Sequence, residues 1–353
     1  MSEAPEVARL VAALQVAQAV GPGADHASVA VALQELDVAW KACPADSLDA
    51  FDRANIQLSR STLQQLLDLD GSEAIVEALF LARQLGPEAQ DQRLLVQVLL
   101  EAGNSARQAG DFDAARSMID EAIELVQAAP GPLSEEAAQA HNCLGIWGRY
   151  RGEFEIARRA YTSALQIAEL APHPQLRPTI LHNVASLEHL AGRPELALEL
   201  IESGLDLRPD DAAERDADDA VRAAILIDLA RYPEADALFR SLATRLSRRW
   251  GPDGTEMMHL NANWAVLEQH RGNLVTAQKR YAQALDTAER LGEQDRPEIA
   301  AIYANAAQLA LTCGDRDTAA AYTQRALLGL EGRVAEDLPS MRLVRQVQDA
   351  LSS

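Results

Sequence analysis

A block of sixteen residues recurs six times along this chain of 353 residues. The openings of successive blocks are separated by 42, 40, 38, 42 and 42 residues. The opening residues are Gly110, Gly152, Gly192, Ala230, Gly272 and Gly314. A recurrence this regular predicts an array of supersecondary units, each of which packs only against its neighbours.

Small residues recur at fixed places within each unit. The fifth residue after each opening is Ala115, Ala157, Ala197, Ala235, Ala277 or Ala319. A filler, larger in five of the six units, follows four residues later, at Ile119, Tyr161, Ile201, Phe239, Tyr281 or Thr323. Twelve residues before each alanine stands Gly103, Gly145, Ala185, Ala223, Ala265 or Ala307. The spacing is that of one helix face, so each unit is predicted to be helix A, a tight turn and helix B, crossing at the small residues.

The composition agrees with helices and limits the partners. Ala, Leu, Glu, Gln and Arg are abundant and are good helix formers. The formal net charge is −21, which repels nucleic-acid phosphates and anionic membranes, so we expect neither as a partner. The acidity is interpreted as a solubility feature, with attraction of a basic partner as the alternative.

The cysteines and the chain start indicate a compartment. Cys43, Cys143 and Cys313 are far apart and odd in number, so neither a disulfide framework nor a zinc site is predicted. The first residues lack a signal-peptide pattern, and we find no apolar run of membrane-spanning length. We expect a cytoplasmic protein without a cofactor, a metal or catalytic residues, and leave open whether copies of it self-associate.

The repeat resembles the tetratricopeptide repeat (TPR) family, in which a Leu-Gly pair in helix A accompanies A-x3-F in helix B. Leu144-Gly145 with Ala157 and Tyr161 matches that pattern best. The period near 42 and connectors such as Trp250-Gly251-Pro252-Asp253 resemble the kinesin-light-chain-like subgroup. The resemblance implies an all-α, right-handed superhelical solenoid of antiparallel helix hairpins and indicates little about function.

We divide the chain into three regions on this pattern. Residues 1–93 are predicted as a helical region of degenerate repeats or a cap. Residues 331–353 are predicted to form the C-terminal cap, with a short capping helix that runs from Pro339 to about Leu351. Between them, residues 94–330 are predicted to hold six TPR-like repeats at about 94–129, 136–170, 177–207, 216–246, 256–290 and 297–330.

The fourth unit departs from the pattern. Arg222 stands where an apolar residue is expected, and Leu242 stands where a small one is expected. We interpret the unit as a degenerate repeat that bends the superhelix, with a functional hinge as the alternative.

The resemblance also implies a binding surface, because helix A lines the concave groove in this family. Projecting that face selects polar residues from five of the six units. They are Asn104, Arg107, Asn142, Arg149, His182, Asn183, Ser186, His189, His259, Asn263, Gln269, His270, Asn305 and Gln308.

Three of these asparagines, Asn183, Asn263 and Asn305, lie two residues before the small residue of their own helix A. An amide donates and accepts hydrogen bonds together, so a row of them can hold an extended peptide backbone. The light-chain-like subgroup uses the matching asparagine in this way. The alternative is an amide that braces the neighbouring helix.

Histidines are concentrated on the predicted A helices, and His182 and His189 are seven residues apart on one face. No carboxylate partner and no metal-ligand spacing is evident, which favours groove-lining polar residues over a metal or acid–base site. We therefore predict a non-catalytic scaffold or adaptor that binds a peptide or a partner protein in the groove. The alternatives are a peptide or small-molecule sensor and an enzyme or metal protein that uses the histidines.

Overall fold

The computed structural model describes residues 5–20, 24–44, 47–86, 88–128, 134–170, 173–210, 212–336 and 338–352. Within these ranges the chain forms seventeen α-helices and no strand. They are α1 Pro5–Ala19, α2 His26–Ala42, α3 Ala50–Leu66, α4 Ser72–Ala82, α5 Ala89–Gln108, α6 Phe112–Ala128, α7 Ser134–Arg151, α8 Phe154–Ala168, α9 Leu176–Leu190, α10 Pro194–Leu207, α11 Arg215–Asp228, α12 Tyr232–Trp250, α13 Thr255–His270, α14 Leu274–Arg290, α15 Pro297–Thr312, α16 Arg316–Leu330 and α17 Pro339–Ser352.

Consecutive helices pair into hairpins, and each hairpin packs against the next. The first helices of successive hairpins, α5, α7, α9, α11, α13 and α15, also pack against one another and form the inner layer of the solenoid. The predicted all-α fold of stacked, TPR-like helix hairpins is confirmed.

Small residues sit at the crossing of the two helices in each hairpin. The alanines at the helix-B position, from Ala115 to Ala319, are 0% exposed. At Gly145 a Cβ atom would overlap the ring of Tyr161, which is itself buried. The missing side chain therefore lets α7 and α8 approach closely around the tyrosine ring.

The turn between the paired helices needs a left-handed residue. Gly110, Gly152, Gly192, Gly272 and Gly314 have φ between +75° and +83°. Ala230 occupies the same position in the fourth unit with φ +56°, a conformation that L-residues with a Cβ adopt at a cost. The degenerate unit thus keeps the turn and loses the residue that suits it.

Replacing Ala230 by glycine should raise the free energy of unfolding by about 1 kcal/mol, because the left-handed strain is relieved. Gly192→Ala is the matched reverse change, since among the described residues a Cβ there meets no atom within 4 Å. It should lower stability by a similar amount. Urea unfolding of both variants measures the difference, and an unchanged Ala230→Gly variant would contradict the explanation.

The other departures in the fourth unit are accommodated by packing. Arg222 is half-buried and pairs with Glu202 at 3.5 Å. Leu242 is fully buried, and Phe239 and Trp264 belong to the same hydrophobic cluster. A larger residue at the crossing therefore fills space in the core. The proposed hinge stays a prediction.

The two ends are helical as well. Helices α1, α2 and α3 share a core that includes Leu10, Leu36 and Ile56. At the other end, α17 buries Met341, Val344 and Val347 and packs against α15 and α16.

The solenoid contacts itself after five hairpins. At the end of α3, the carboxylate of Asp68 accepts a hydrogen bond from the Thr255 hydroxyl at 2.6 Å, at the start of α13. Arg107 of α5 pairs with Glu298 of α15 at 2.5 Å. Because α3 and α13, and likewise α5 and α15, are separated by the same number of hairpins, these contacts join successive turns of one superhelix.

The buried carboxylate of Glu293 lies near both inter-turn contacts. Burial raises its pKa, the charge of Arg296 opposes the rise, and the negative charges of Asp68 and Glu298 add to it. The folded state therefore binds this proton more tightly than the unfolded chain does. The protonated carboxyl group of Glu293 therefore stabilises the folded state at acid pH, and this stabilisation is lost as the pH rises through the raised pKa.

Glu293→Gln should therefore be more stable than the wild type at pH 7, and the difference should disappear near pH 4, where the glutamate is protonated. The exposed Glu199→Gln provides a control with the same change in charge. Urea unfolding from pH 4 to pH 7 tests this. A benefit that is constant with pH, or equal in both variants, would show that the buried charge is not its source.

Candidate functional site

A cavity of about 300 Å³ lies on the inner side of the solenoid, between the end of α7 and the first halves of α13 and α15. It is partly open. The residues that line it are Arg149, Tyr150, Leu190, His259, Ala262, Asn263, Pro297, Glu298, Ala301, Ile302, Asn305, Leu330, Val334, Leu338 and Ser340.

Four of the predicted groove residues meet in this cavity: Arg149, His259, Asn263 and Asn305. Asn263 and Asn305 occupy equivalent positions on consecutive inner helices, and both are half-buried. Among the described residues neither amide has a hydrogen-bond partner within the protein. Both therefore keep their donors and acceptors available to a ligand.

His259 lines the cavity and its side chain is exposed there. Desolvation by the protein around the cavity lowers the pKa of His259, with the charge of Glu298 acting in the opposite direction. The imidazole is therefore neutral at pH 7, and a neutral ring both donates and accepts hydrogen bonds.

Arg107 and Asn104 take part in closing the superhelix. The guanidinium of Arg107 donates to Asn104 Oδ1 at 2.9 Å and pairs with Glu298. It also lies 4.3 Å from the ring centre of Tyr150, which Arg149 approaches at 4.4 Å. Such stacking is favourable for partly desolvated cations. The carboxylate of Glu298 thus lines the cavity and also forms the ion pair with Arg107 of α5.

The third asparagine of the predicted row is placed differently. Asn183 is buried and donates to Asn142 Oδ1 at 2.9 Å. These two predicted site residues therefore bond to each other across α7 and α9 and do not line the cavity. Only Asn263 and Asn305 present free amides there, and the role of the three as a peptide clamp stays a prediction.

The sequence-based view that no carboxylate pairs with the histidines is wrong. His182 Nδ1 lies 2.8 Å from Asp218 Oδ1, and His189 Nε2 lies 2.8 Å from Asp228 Oδ2. The hydrogen bond from His189 lowers the pKa of Asp228. Both partners belong to α11, one hairpin further on, where a search for local spacing does not find them.

Asp218 also neutralises a second buried group. Its other oxygen accepts from Arg208 Nε at 2.5 Å, and the two side chains are 1% and 3% exposed. The arginine reaches Gln175 and Thr179 as well. This arrangement ties α9, α10 and α11 together, so His182 lies at the edge of a buried structural ion pair.

Asp218→Ala should lower the free energy of unfolding by about 3–5 kcal/mol, because it leaves the Arg208 charge buried and unpaired. His182→Ala should cost about 1 kcal/mol, since it removes one hydrogen bond at a half-buried site. Urea unfolding compares them. Equal losses would indicate that the histidine carries as much of the network as the arginine does.

The remaining predicted residues lie outside the cavity. Ser186 and Gln269 are half-buried, whereas His270 and Gln308 are exposed. The ring of His270 lies 6.1 Å from that of Tyr232.

Eleven of the fifteen residues that line the cavity were not among the predicted groove residues. Tyr150, Leu190 and Glu298 belong to helices of the repeats and carry no distinctive spacing. Leu330, Val334, Leu338 and Ser340 belong to the end of α16, the connector and α17. Helix α17 begins at Pro339, where the sequence predicted the capping helix to start, and the residues before it border the cavity.

In the described part of the chain, no group of three or more His, Cys, Asp or Glu side chains is arranged to hold a metal ion. No described helix combines the length and apolar character that a bilayer crossing requires. Burial raises the pKa of Cys143 to about 12, so this thiol is a poor nucleophile.

Comparison with known proteins agrees with the fold. Residues 94–170, which cover the first two predicted repeats, match the family described as Tetratricopeptide repeat. The match does not distinguish the kinesin-light-chain-like subgroup, which stays a prediction. No curated protein sequence matches the chain.

Several solved structures share the architecture at low identity. The Rap conjugation gene regulator of plasmid pLS20, in complex with the Phr* peptide, has a TM-score of 0.61 and 13% identity over 92% of this chain and 85% of its own. A Rap protein complexed with competence and sporulation factor has a TM-score of 0.59 and 10% identity over 98% and 97%. Aspartyl phosphate phosphatase F from Bacillus subtilis has a TM-score of 0.58 and 11% identity over 85% and 77%. This chain is therefore similar to them in fold.

Proposed function

We propose that this protein is a non-catalytic scaffold that binds a peptide, or an extended segment of a partner protein, in the cavity on its inner face. The observation that carries the proposal is the pair of free amides, Asn263 and Asn305, at equivalent positions of consecutive helices and facing one cavity. A repeated amide at a repeated position matches the repeated hydrogen-bonding groups of a peptide backbone.

The rest of the cavity wall suits a peptide side chain. Leu190, Ile302 and Leu330 supply apolar surface, and Arg149 supplies a positive charge. The volume of about 300 Å³ is at the small end of ligand pockets, which favours one or two side chains over a large cofactor. Two proteins of the same fold were solved with Phr* peptide and with competence and sporulation factor, which supports a ligand of this kind.

The position of Glu298 favours a second, related function as a sensor. Its carboxylate lines the cavity and also pairs with Arg107 across the superhelical turn. Arg107 uses Oε1 of Glu298, and Oε2 has no hydrogen-bond partner among the described residues. A ligand that contacts Glu298 therefore shares one carboxylate with Arg107, which couples binding to the spacing of the turns. A peptide sensor would change its radius of gyration on binding, and small-angle scattering measures that change.

The enzymatic alternative has less support. The two histidines on which it rested are committed to Asp218 and Asp228, and neither lines the cavity. The cavity histidine, His259, has no carboxylate within hydrogen-bond distance among the described residues. A general base in a catalytic pair needs such an orienting group.

The double variant Asn263→Ala/Asn305→Ala should capture its partner at least about tenfold less well, because two hydrogen bonds of about 1 kcal/mol each are lost. Its stability should change little, since neither amide bonds to the protein. The measurement is quantitative capture from source-cell lysate, with the captured partner then titrated in purified form.

The matched control is Gln269→Ala/Gln308→Ala, which removes two inner-helix amides outside the cavity. It should bind as the wild type does. Equal losses in both double variants, or a stability loss that accounts for the effect, would contradict the proposed site.

A further inference from the structure

Residues 331–336 lie between α16 and α17 in the chain. They pack against the turns of two hairpins, the turn between α5 and α6 and the turn between α7 and α8. We call this segment the strap. The backbone N–H of Ala335 donates to the carbonyl of Arg151 at 2.9 Å, and Arg151 Nη1 donates to the carbonyl of Arg333 at 2.7 Å. Both bonds use the backbone of the strap, as the binding of an extended peptide does.

Two turn glycines make room for the strap. An added Cβ at Gly110 would lie 2.8 Å from Arg333 Nη1, and one at Gly152 would lie 2.8 Å from Ala335 Cβ. At Gly192, Gly272 and Gly314 the same Cβ meets no described atom within 4 Å. The repeat demands a left-handed residue at all five turns, but only the first two are also covered by another segment.

The strap closes one side of the cavity. Val334 is 8% exposed and lines it, as does Leu338 immediately before α17. The ends of the strap are solvent-exposed at Glu331, Gly332 and Glu336. Because α17 is anchored separately through Met341, Val344 and Val347, the strap can leave its place while the end of the solenoid stays covered.

We propose that the strap is a built-in occupant of the groove, which a partner peptide must displace in order to extend from the cavity along α7. The proposal rests on the proposed function. It also states the chemistry of the competing ligand: a short extended peptide that replaces the two backbone bonds at Arg151 and places an apolar side chain where Val334 lies.

Gly152→Ala and Gly192→Ala form a matched pair to test the strap. Both place alanine in a left-handed turn with φ +83° or +75°, so both carry the same backbone strain. Only the first also collides with Ala335. The two variants should lose a similar amount of melting temperature, whereas the amide of Ala335 should exchange with solvent about tenfold faster in Gly152→Ala. Equal exchange rates would overturn the proposal.

A second measurement uses a labelled synthetic peptide with the sequence of residues 329–336 in which glycine replaces Ala335, GLEGRVGE, and a scrambled control. Without the alanine Cβ, the nearest atom of that residue to the new Cβ at position 152 is its Cα at 3.9 Å, so the peptide escapes the collision that expels the strap. The peptide should bind Gly152→Ala about tenfold more tightly than it binds Gly192→Ala or the wild type, since the groove is vacated only there. Equal binding to all three proteins, or binding of the scrambled peptide, would show that the strap is not a groove ligand.

Measuring how much partner each variant captures distinguishes a failure of this inference from a failure of the proposed function. If Val334→Asp, which should dislodge the strap and leaves the turn at Gly152 unaltered, captures no more of the partner than the wild type does, the strap is a structural connector, while loss of capture in the Asn263→Ala/Asn305→Ala variant would still support the cavity. If the amide variant captures the partner normally, the proposed function fails whichever result the strap gives.

Discussion

The close approach of the two helices in each hairpin is the constraint on which the rest of the structure depends. Alanines such as Ala157 and Ala277 are completely buried at the crossing, and Gly145 leaves room for the ring of Tyr161. Interiors pack to near-crystalline density, so the sizes at this crossing set how each hairpin leans on the next. The accumulated rotation of successive hairpins sets the curvature of a solenoid. Here it brings α15 against α5, and the cavity exists because the turns meet.

Where successive turns of the superhelix meet, individual charged groups pair with one another, although the net charge of the chain is −21. Asp68 accepts hydrogen bonds from the hydroxyl and the backbone N–H of Thr255, at the positive end of α13. Arg107 is neutralised by Glu298 and stacks on Tyr150. The buried Glu293 lies near these contacts and pairs with Arg296, and burial raises its pKa, so this carboxylate is harder to ionise than an exposed one.

The cavity, the inter-turn contact and the strap share residues. Glu298 belongs to the first two, and Val334 to the first and third. Arg151, which holds the strap, ends the same helix that carries Arg149 and Tyr150 into the cavity. A ligand in this place therefore meets groups that already have partners inside the protein, and its affinity depends on its differential interaction with the open and closed arrangements.

The sequence by itself determined the helices, the hairpins and the turns. The spacing of Gly110, Gly152 and their equivalents, with the buried alanines five residues later, is a short-range pattern in which every requirement is local. The same reasoning placed Asn263 and Asn305 on the inner layer, because a helix face follows from period alone. It also placed Asn183 on this layer, but it could not show that the Asn183 amide donates to Asn142 of the preceding hairpin.

Only the tertiary structure decided which of these residues share a site. Glu298 meets Arg107 from 191 positions away, and the carboxylates that pair with His182 and His189 lie one hairpin further on. The strap lies against α7 although nothing in its own sequence marks it as anything but a connector. These contacts depend on the summed rotation of many hairpins. Each helix crossing contributes a small part of that rotation, so no single sequence motif predicts the total.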